Sequence, residues 1–355
     1  MTTIQDSIPE AGPAEALPSG ATLLQIGLVA AGLVIAFGLV PSLASDYWLS
    51  SIIIPTVVMG LAGISLNLLQ GYAGLVSLGS AAFMAVGAFS AYNLILRVPG
   101  LPLPAVLLLA GLIAAVVGVF FGLPALRIKG FYLAASTLGA QFFFPWLFTN
   151  YPWFSNNSQS LTISAPRLEF LGYDLQSPLG RYLLVATVTA LLIGLAFLVV
   201  RSRLGREWMA IRDMETAASV LGIRVARRKL QAYAVSSFFL GITGVLWGFA
   251  YLGTADAHTY NLDKSFQILF IVLIGGTATI FGNFLGAAFI VLTPILLDHV
   301  VLAANIAYLS DQGAITNLQR VIFGAIIIFI LIKEPDGLSA WIRRGVGALR
   351  ARLGR

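Results

Sequence analysis

Ten stretches of the chain are nearly free of charged side chains, and each approaches the roughly 20 residues a helix needs to cross a membrane. They cover residues 23–42, 51–70, 74–95, 103–123, 132–149, 182–200, 231–252, 265–282, 284–300 and 320–333. Polar residues collect in two longer intervals, 150–181 and 201–230. The pattern predicts an all-α, polytopic membrane protein of about ten transmembrane helices. An even count puts both termini on one side. Residues 1–22 read as a disordered cytoplasmic tail without the basic start of a secretory signal, residues 23–335 as the membrane domain, and residues 336–355 as a basic cytoplasmic tail.

One apolar run departs from the usual Leu, Ile and Val. In QGYAGLVSLGSAAFMAVGAF, residues 70–89, Ala73, Ser77, Ala81 and Ala85 recur every four positions. That spacing predicts one small-residue face of a helix, where backbones approach closely in lipid. Gly71, Gly74 and Gly79 add backbone freedom where the chain turns or unwinds. The segment reads either as a tight helix contact or as a wall of a translocation path, with Ser77, Ser80 and Ala81 facing it. In residues 268–290, Gly275, Gly276, Gly282 and Gly286 surround a predicted inner turn with Asn283 at its apex. Gln141 and Asn67 are the most conspicuous uncharged polar residues inside the runs; each could meet a solute or bond to a neighbouring helix.

The polar interval 202–230 carries its own periodicity. Trp208, Ile211, Ala218 and Leu221 fall at three- or four-residue steps before a stop at Gly222, and Arg224, Arg227, Arg228 and Lys229 follow. This predicts a short amphipathic helix inside the cell. It would either float on membrane lipid with its basic end near anionic headgroups or dock a cytoplasmic partner. In the docking reading Trp208 and Arg212 share the anchoring face with Ile211 beside them.

Composition and charge sharpen the class. Hydrophobic residues make up 58% of the 355 and charged residues only 10%, against about 25% charged in soluble domains. The net charge of +6 does not indicate nucleic acid, because the basic residues sit in short loops. With the termini inside, only Arg97, Arg167, Arg181, Lys264 and Arg320 of the 21 Lys and Arg remain outside, as the positive-inside rule expects. The absence of cysteine excludes disulfides and thiolate metal sites. His258 and His299 have no carboxylate pattern suited to a metal, and no phosphate-cradling G-x-x-x-x-G-K-[ST] occurs. No metal, cofactor or catalytic constellation is therefore expected. The Asp298–His299 pair reads as a solvated helix end, and the lack of other ionisable residues in the spans argues against proton coupling.

Five motifs in order complete the reading: GYAGLVSLGSAAF (71–83), GLPALRIKGFYLAASTLG (122–139), LGREWMAIRDMETAASVLGI (204–223), VLIGGTATIFGNFLGAAF (272–289) and FGAIIIFILIKEPDGL (323–338). Together they resemble LivM-type permeases of branched-chain amino-acid ABC importers, over roughly residues 50–340. The resemblance implies a multi-pass permease subunit of the bacterial inner membrane, not an enzyme. Its implied partners are a second, LivH-type permease, two cytoplasmic ATPases and an extracytoplasmic substrate-binding protein, with a branched-chain or related hydrophobic amino acid as substrate. Arg206–Gly222 corresponds to the loop such permeases offer to the ATPase, which places Arg206, Trp208, Ile211, Arg212, Glu215, Ala218, Leu221 and Gly222 at the coupling surface. Family members usually carry His where this chain has Ser80, and their Gly- and Asn-rich outer-loop element is replaced here by residues 155–172. Another small metabolite (an aromatic acid, an amide or urea) is the alternative substrate, and a stand-alone channel or ion-coupled carrier the rival class.

Overall fold

The computed structural model of the protein describes residues 32, 35–126, 132–157, 162–164, 169–170 and 173–303, with isolated positions between 317 and 328. The two tails, most of the 23–42 and 320–333 runs, the motif at 323–338 and the side chains of Asp298 and His299 lie outside what it describes. Contacts divide the chain into two units, Met1–Ala44 and Ser45–Arg355. In the first, Ile35–Leu39 and Val40–Leu43 are helical.

The second unit is built from helices α1 (Asp46–Tyr72), α2 (Ser80–Arg97), α3 (Leu103–Gly122), α4 (Tyr132–Asn150), α5 (Pro178–Arg201), α6 (Arg203–Asp213), α7 (Glu215–Val220), α8 (Val225–Leu252), α9 (Leu262–Gly275) and α10 (Gly282–Ala303). Among the described residues four of these, α1, α3, α5 and α8, are long and apolar enough on their own to cross a membrane. Two predicted runs are interrupted. The 74–95 run becomes helical only at Ser80, and the 265–282 run ends at Gly275.

Helix α8 forms the centre and packs on α1, α2 and α3, while α9 and α10 pack together against α1. Backbones meet where α2 crosses α8. A side chain at Gly87 would strike the Gly241 carbonyl, and one at Gly244 the Met84 carbonyl, so the crossing rests on small residues rather than on interlocked bulk. The helix ends follow from local chemistry. Ser177 accepts from Gly180 N at 3.0 Å ahead of Pro178 at the start of α5, and Asn261 accepts from Lys264 N at 3.0 Å at the start of α9.

Strands are few. In the predicted loop 150–181, β1 (Thr162–Ser164) pairs antiparallel with β4 (Thr254–Asp256), which follows α8; Ile163 lies opposite Ala255. Strands β2 (Glu169–Phe170) and β3 (Tyr173–Asp174) form a small hairpin.

Candidate functional site

Between α1 and α2 the chain is extended, and this segment anchors the site. Burial alternates along it: Ala73, Leu75, Ser77 and Gly79 are inside, whereas Gly74 and Val76 are exposed. Alternation of period two is the mark of an extended chain. The predicted continuous helical face through Ala73, Ser77, Ala81 and Ala85 is therefore broken in two. Ala73 and Ser77 lie on the non-helical stretch before α2, and Ala81 and Ala85 lie four apart on α2 itself. All four are buried. Gly74 has φ +70°, a left-handed conformation that glycine adopts without strain.

The α6–α7 pair grips the α1 end of this segment. Instead of one amphipathic helix, residues 203–220 form two, broken at Met214, whose backbone is extended (φ −157°, ψ 97°). Trp208 is fully buried inside the chain among Leu69, Ala73, Leu75, Ala232 and Tyr233, and its Nε1 donates to the Arg228 carbonyl at 3.0 Å. It is not on a partner-facing surface, contrary to the docking expectation. An amphipathic helix with a long chain of its own nearby buries its apolar stripe there first. Ile211 and Ala218 are buried as well. Arg212 spans the end of α1 and the start of this segment: its Nη1 donates to the Gly71 carbonyl at 2.8 Å, and its stem lies against Gly74. Its other donors go to Asp213.

Five charged residues complete the attachment, of which Arg203 and Glu207 are not singled out by the sequence. Glu207 accepts from Arg203 at 2.8 Å and from Arg228, and Arg228 also donates to Gln231 at 2.8 Å. Burial tends to raise the Glu207 carboxyl, but hydrogen bonds from Arg228 and Arg203, reinforced by their charges, outweigh it and hold the group below the ordinary glutamate value. Lys229, buried, pairs with Glu215 at 2.9 Å. The Arg203–Glu207 spacing of four was a local signal for the first pair; the partnerships across the α6–α8 turn had none.

What remains outside on this pair is different in kind. Arg206 is exposed, and Met214, Val220 and Leu221 present apolar side chains that are 62%, 86% and 79% exposed. Gly222 ends α7 as predicted. At φ +83° it lets Ile223 N donate to the Ala218 carbonyl and its own N–H to Ser219, both at 3.1 Å, the paired closure of a glycine-terminated helix.

The end of α1 that leads into the extended segment is also tied to the α9–α10 turn. Asn67 donates to the Thr279 carbonyl at 2.8 Å and accepts from Ala278 N at 2.9 Å, and the Tyr72 hydroxyl donates to the Ala278 carbonyl at 2.8 Å. The predicted turn is present over residues 276–281, with Gly276 at φ +107° and backbones close enough that a side chain at Gly275 would strike Gly282. Asn283 lies in the first turn of α10, not at the apex, because its side chain bonds back to Thr279 at 2.6 Å.

At the other end, Gln141 is the hub. Its Oε1 accepts from Ala82 N at 3.0 Å and from Ser265 Oγ at 2.7 Å, and its Nε2 donates to the Tyr260 carbonyl at 2.7 Å. Ala81 N donates to Ser265 Oγ at 2.9 Å, and Leu78 N to Thr137 Oγ1 at 2.9 Å. The open N–H groups at the start of α2 are thus capped by side chains of α4 and α9, so Gln141 joins helices. Ser80 Oγ is fully buried beside them without a hydrogen-bond partner among the described residues. The arrangement is an interrupted span whose break is held at one end by α6 and at the other by polar side-chain caps. Among the described residues no cluster could hold a metal.

Comparison with known proteins agrees with this architecture. The family described as "Branched-chain amino acid transport system / permease component" matches residues 48–331. The LivM high-affinity branched-chain amino acid permease of Salmonella typhimurium is 30% identical over 81% of this chain and 69% of its own length. The autoinducer 2 import permease LsrC of Klebsiella pneumoniae is 31% identical over 50% of this chain and 51% of its own. The nucleoside ABC transporter permease NupB of Lactococcus lactis is 27% identical over 42% and 38% respectively. No solved structure matches. A multi-pass membrane protein with these motifs, matched over most of its length, belongs to the branched-chain amino acid transport permease family.

Proposed function

We propose that this chain is the permease subunit of an ATP-driven importer in the bacterial inner membrane, carrying branched-chain or related hydrophobic amino acids. It pairs with a second, LivH-type permease, takes substrate from an extracytoplasmic binding protein, and is driven by two cytoplasmic ATPases. The observation that carries the reading is the Arg212–Gly71 bond, which links α6 directly to the last turn of α1, where the break before α2 begins. The ATPase docks on Met214, Val220 and Leu221 with Arg206 at the rim, while Trp208, Ile211 and Ala218 transmit its motion inward. Closure of the ATPases shifts α6, and the shift strips the caps on Ala81 and Ala82 and opens the path along Ser77, Ser80 and Gly79. Gly275 and Gly276 let the second turn follow.

A second substrate reading has its own support, since relatives over about half the chain are named for autoinducer 2 and nucleoside transport. The test of both is uptake by the reconstituted five-component importer, offered L-leucine, L-valine and a nucleoside. Leucine uptake that requires ATP and both ATPases supports the amino-acid reading. Nucleoside uptake alone overturns the substrate, and uptake that persists without ATPases overturns the importer.

A further inference from the structure

Beside the polar hub, at the start of α9, lies a cation in an unfavourable place. Lys264 sits in the first turn of α9, where the helix presents its positive end, and it is only partly exposed. Among the described residues it belongs to no ion pair. Its ammonium has one polar contact, to Gln267 Oε1 at 3.0 Å, and lies 4.3 Å from the ring centre of Trp247. Trp247 is 5% exposed, and its Nε1 has no hydrogen-bond partner among the described residues. Tyr251 packs against that ring with centres 4.6 Å apart.

Each of these features costs stability by itself. A half-buried ammonium loses hydration, the helix start repels it, and a buried indole N–H left without an acceptor forfeits a hydrogen bond. One kind of ligand relieves all three. A carboxylate at the ring edge accepts from the indole N–H, which lies in the ring plane, and from the ammonium held over the ring face. It also brings negative charge to the start of α9. The neighbouring residue in sequence, Ser265, is the one that caps Ala81 at the start of α2.

We infer that Lys264 and Trp247 form a recognition site for the carboxylate of the transported solute, with Gln267 holding the ammonium until the solute arrives. This deepens the importer reading and rests on it. The site takes monocarboxylates whose apolar part can lie against Tyr251, and it does not distinguish an amino acid from the acid lacking the amine.

The test is equilibrium binding of radiolabelled L-leucine and of radiolabelled isovalerate to the purified permease–ATPase complex without the delivery protein. Isovalerate, which keeps the carboxylate, is expected to compete with leucine; L-leucinamide, which lacks it, is not. Lys264→Met should weaken leucine binding by about tenfold or more, as loss of a charge-assisted hydrogen bond does. Trp247→Phe should weaken it severalfold, and Lys264→Arg should retain most of it. Trp247→Phe and Lys264→Arg decide the matter should Lys264→Met fail to assemble. Equal competition by leucinamide, or unchanged binding in Lys264→Met and Trp247→Phe, overturns the inference. Isovalerate binding that depends on Lys264, without leucine binding, overturns the amino-acid reading and leaves the carboxylate site standing.

Discussion

Helices α6 and α7 are neighbours in sequence with opposite allegiances. The apolar side chains of α6, Trp208 and Ile211, are buried against α8 and the extended segment, and Glu207 is held by Arg203 and Arg228. Six-residue α7 buries Ala218 and exposes Val220, with Leu221 just past its end. The extended backbone at Met214 lets the two halves face different ways. An element that passes force between two proteins needs one face fastened to its own chain and one left open. Here α6 carries most of the fastening, while α7 keeps only Ala218 and the Glu215–Lys229 pair against its own chain and leaves Val220 open.

The largest effect should come from unfastening α6. Trp208→Ala removes the centre of its cluster and leaves a cavity, at a cost of about 3–5 kcal/mol. The permease should lose thermal stability even without its ATPases, as read by size-exclusion recovery after heating; unchanged recovery would put Trp208 on the open side. Next is the open half. Val220→Asp with Leu221→Asp should leave that recovery unchanged and reduce ATPase capture in a pull-down by about tenfold or more. Capture at the wild-type level would return α7 to the membrane surface. Arg212→Ala is expected to be intermediate, because it touches both roles. ATPase binding should persist, while uptake per ATP hydrolysed falls severalfold as the Gly71 link is lost.

The smallest effect concerns acid. The Glu207 carboxyl is held below its ordinary value, so by linkage it stabilises the folded state fully above 4.5 and loses that contribution as pH falls through the lowered folded-state value. Arg203 is largely exposed, which limits its share. Thermal recovery of the permease should decline more steeply below pH 4.5 than that of Glu207→Gln, which lacks the titrating group. Parallel curves would remove Glu207 from the attachment.

The same contrast explains how far the sequence could be read. The break at Gly222 and the turn near Gly276 follow from residue type alone, whereas residue type leaves Gln141 open between a solute and a neighbouring helix, and only its partners decide it. A period of four is compatible with both a helix and an extended strand, so the spacing of Ala73 and Ser77 could not announce that α2 begins only at Ser80. Periodicity also identifies which side chains of α6 leave water, but not whether they enter their own chain or another. Trp208 has the composition of a docking anchor and the position of a core residue. The bonds of Asn67 to the α9–α10 turn join residues more than two hundred positions apart, beyond the reach of any local pattern.

The pairing of β1 with β4 sets an order on the making of this protein. Ala255 emerges roughly 90 residues after Ile163, about 5–20 s later at ordinary rates of synthesis. Over that interval α5, α6, α7 and α8 must all be made while β1 waits with an open edge. An unpaired edge invites mispairing with other chains. Three residues, two of them Thr162 and Ser164, offer little for a stray strand to hold, so the shortness of the ribbon guards the chain while it is still being built.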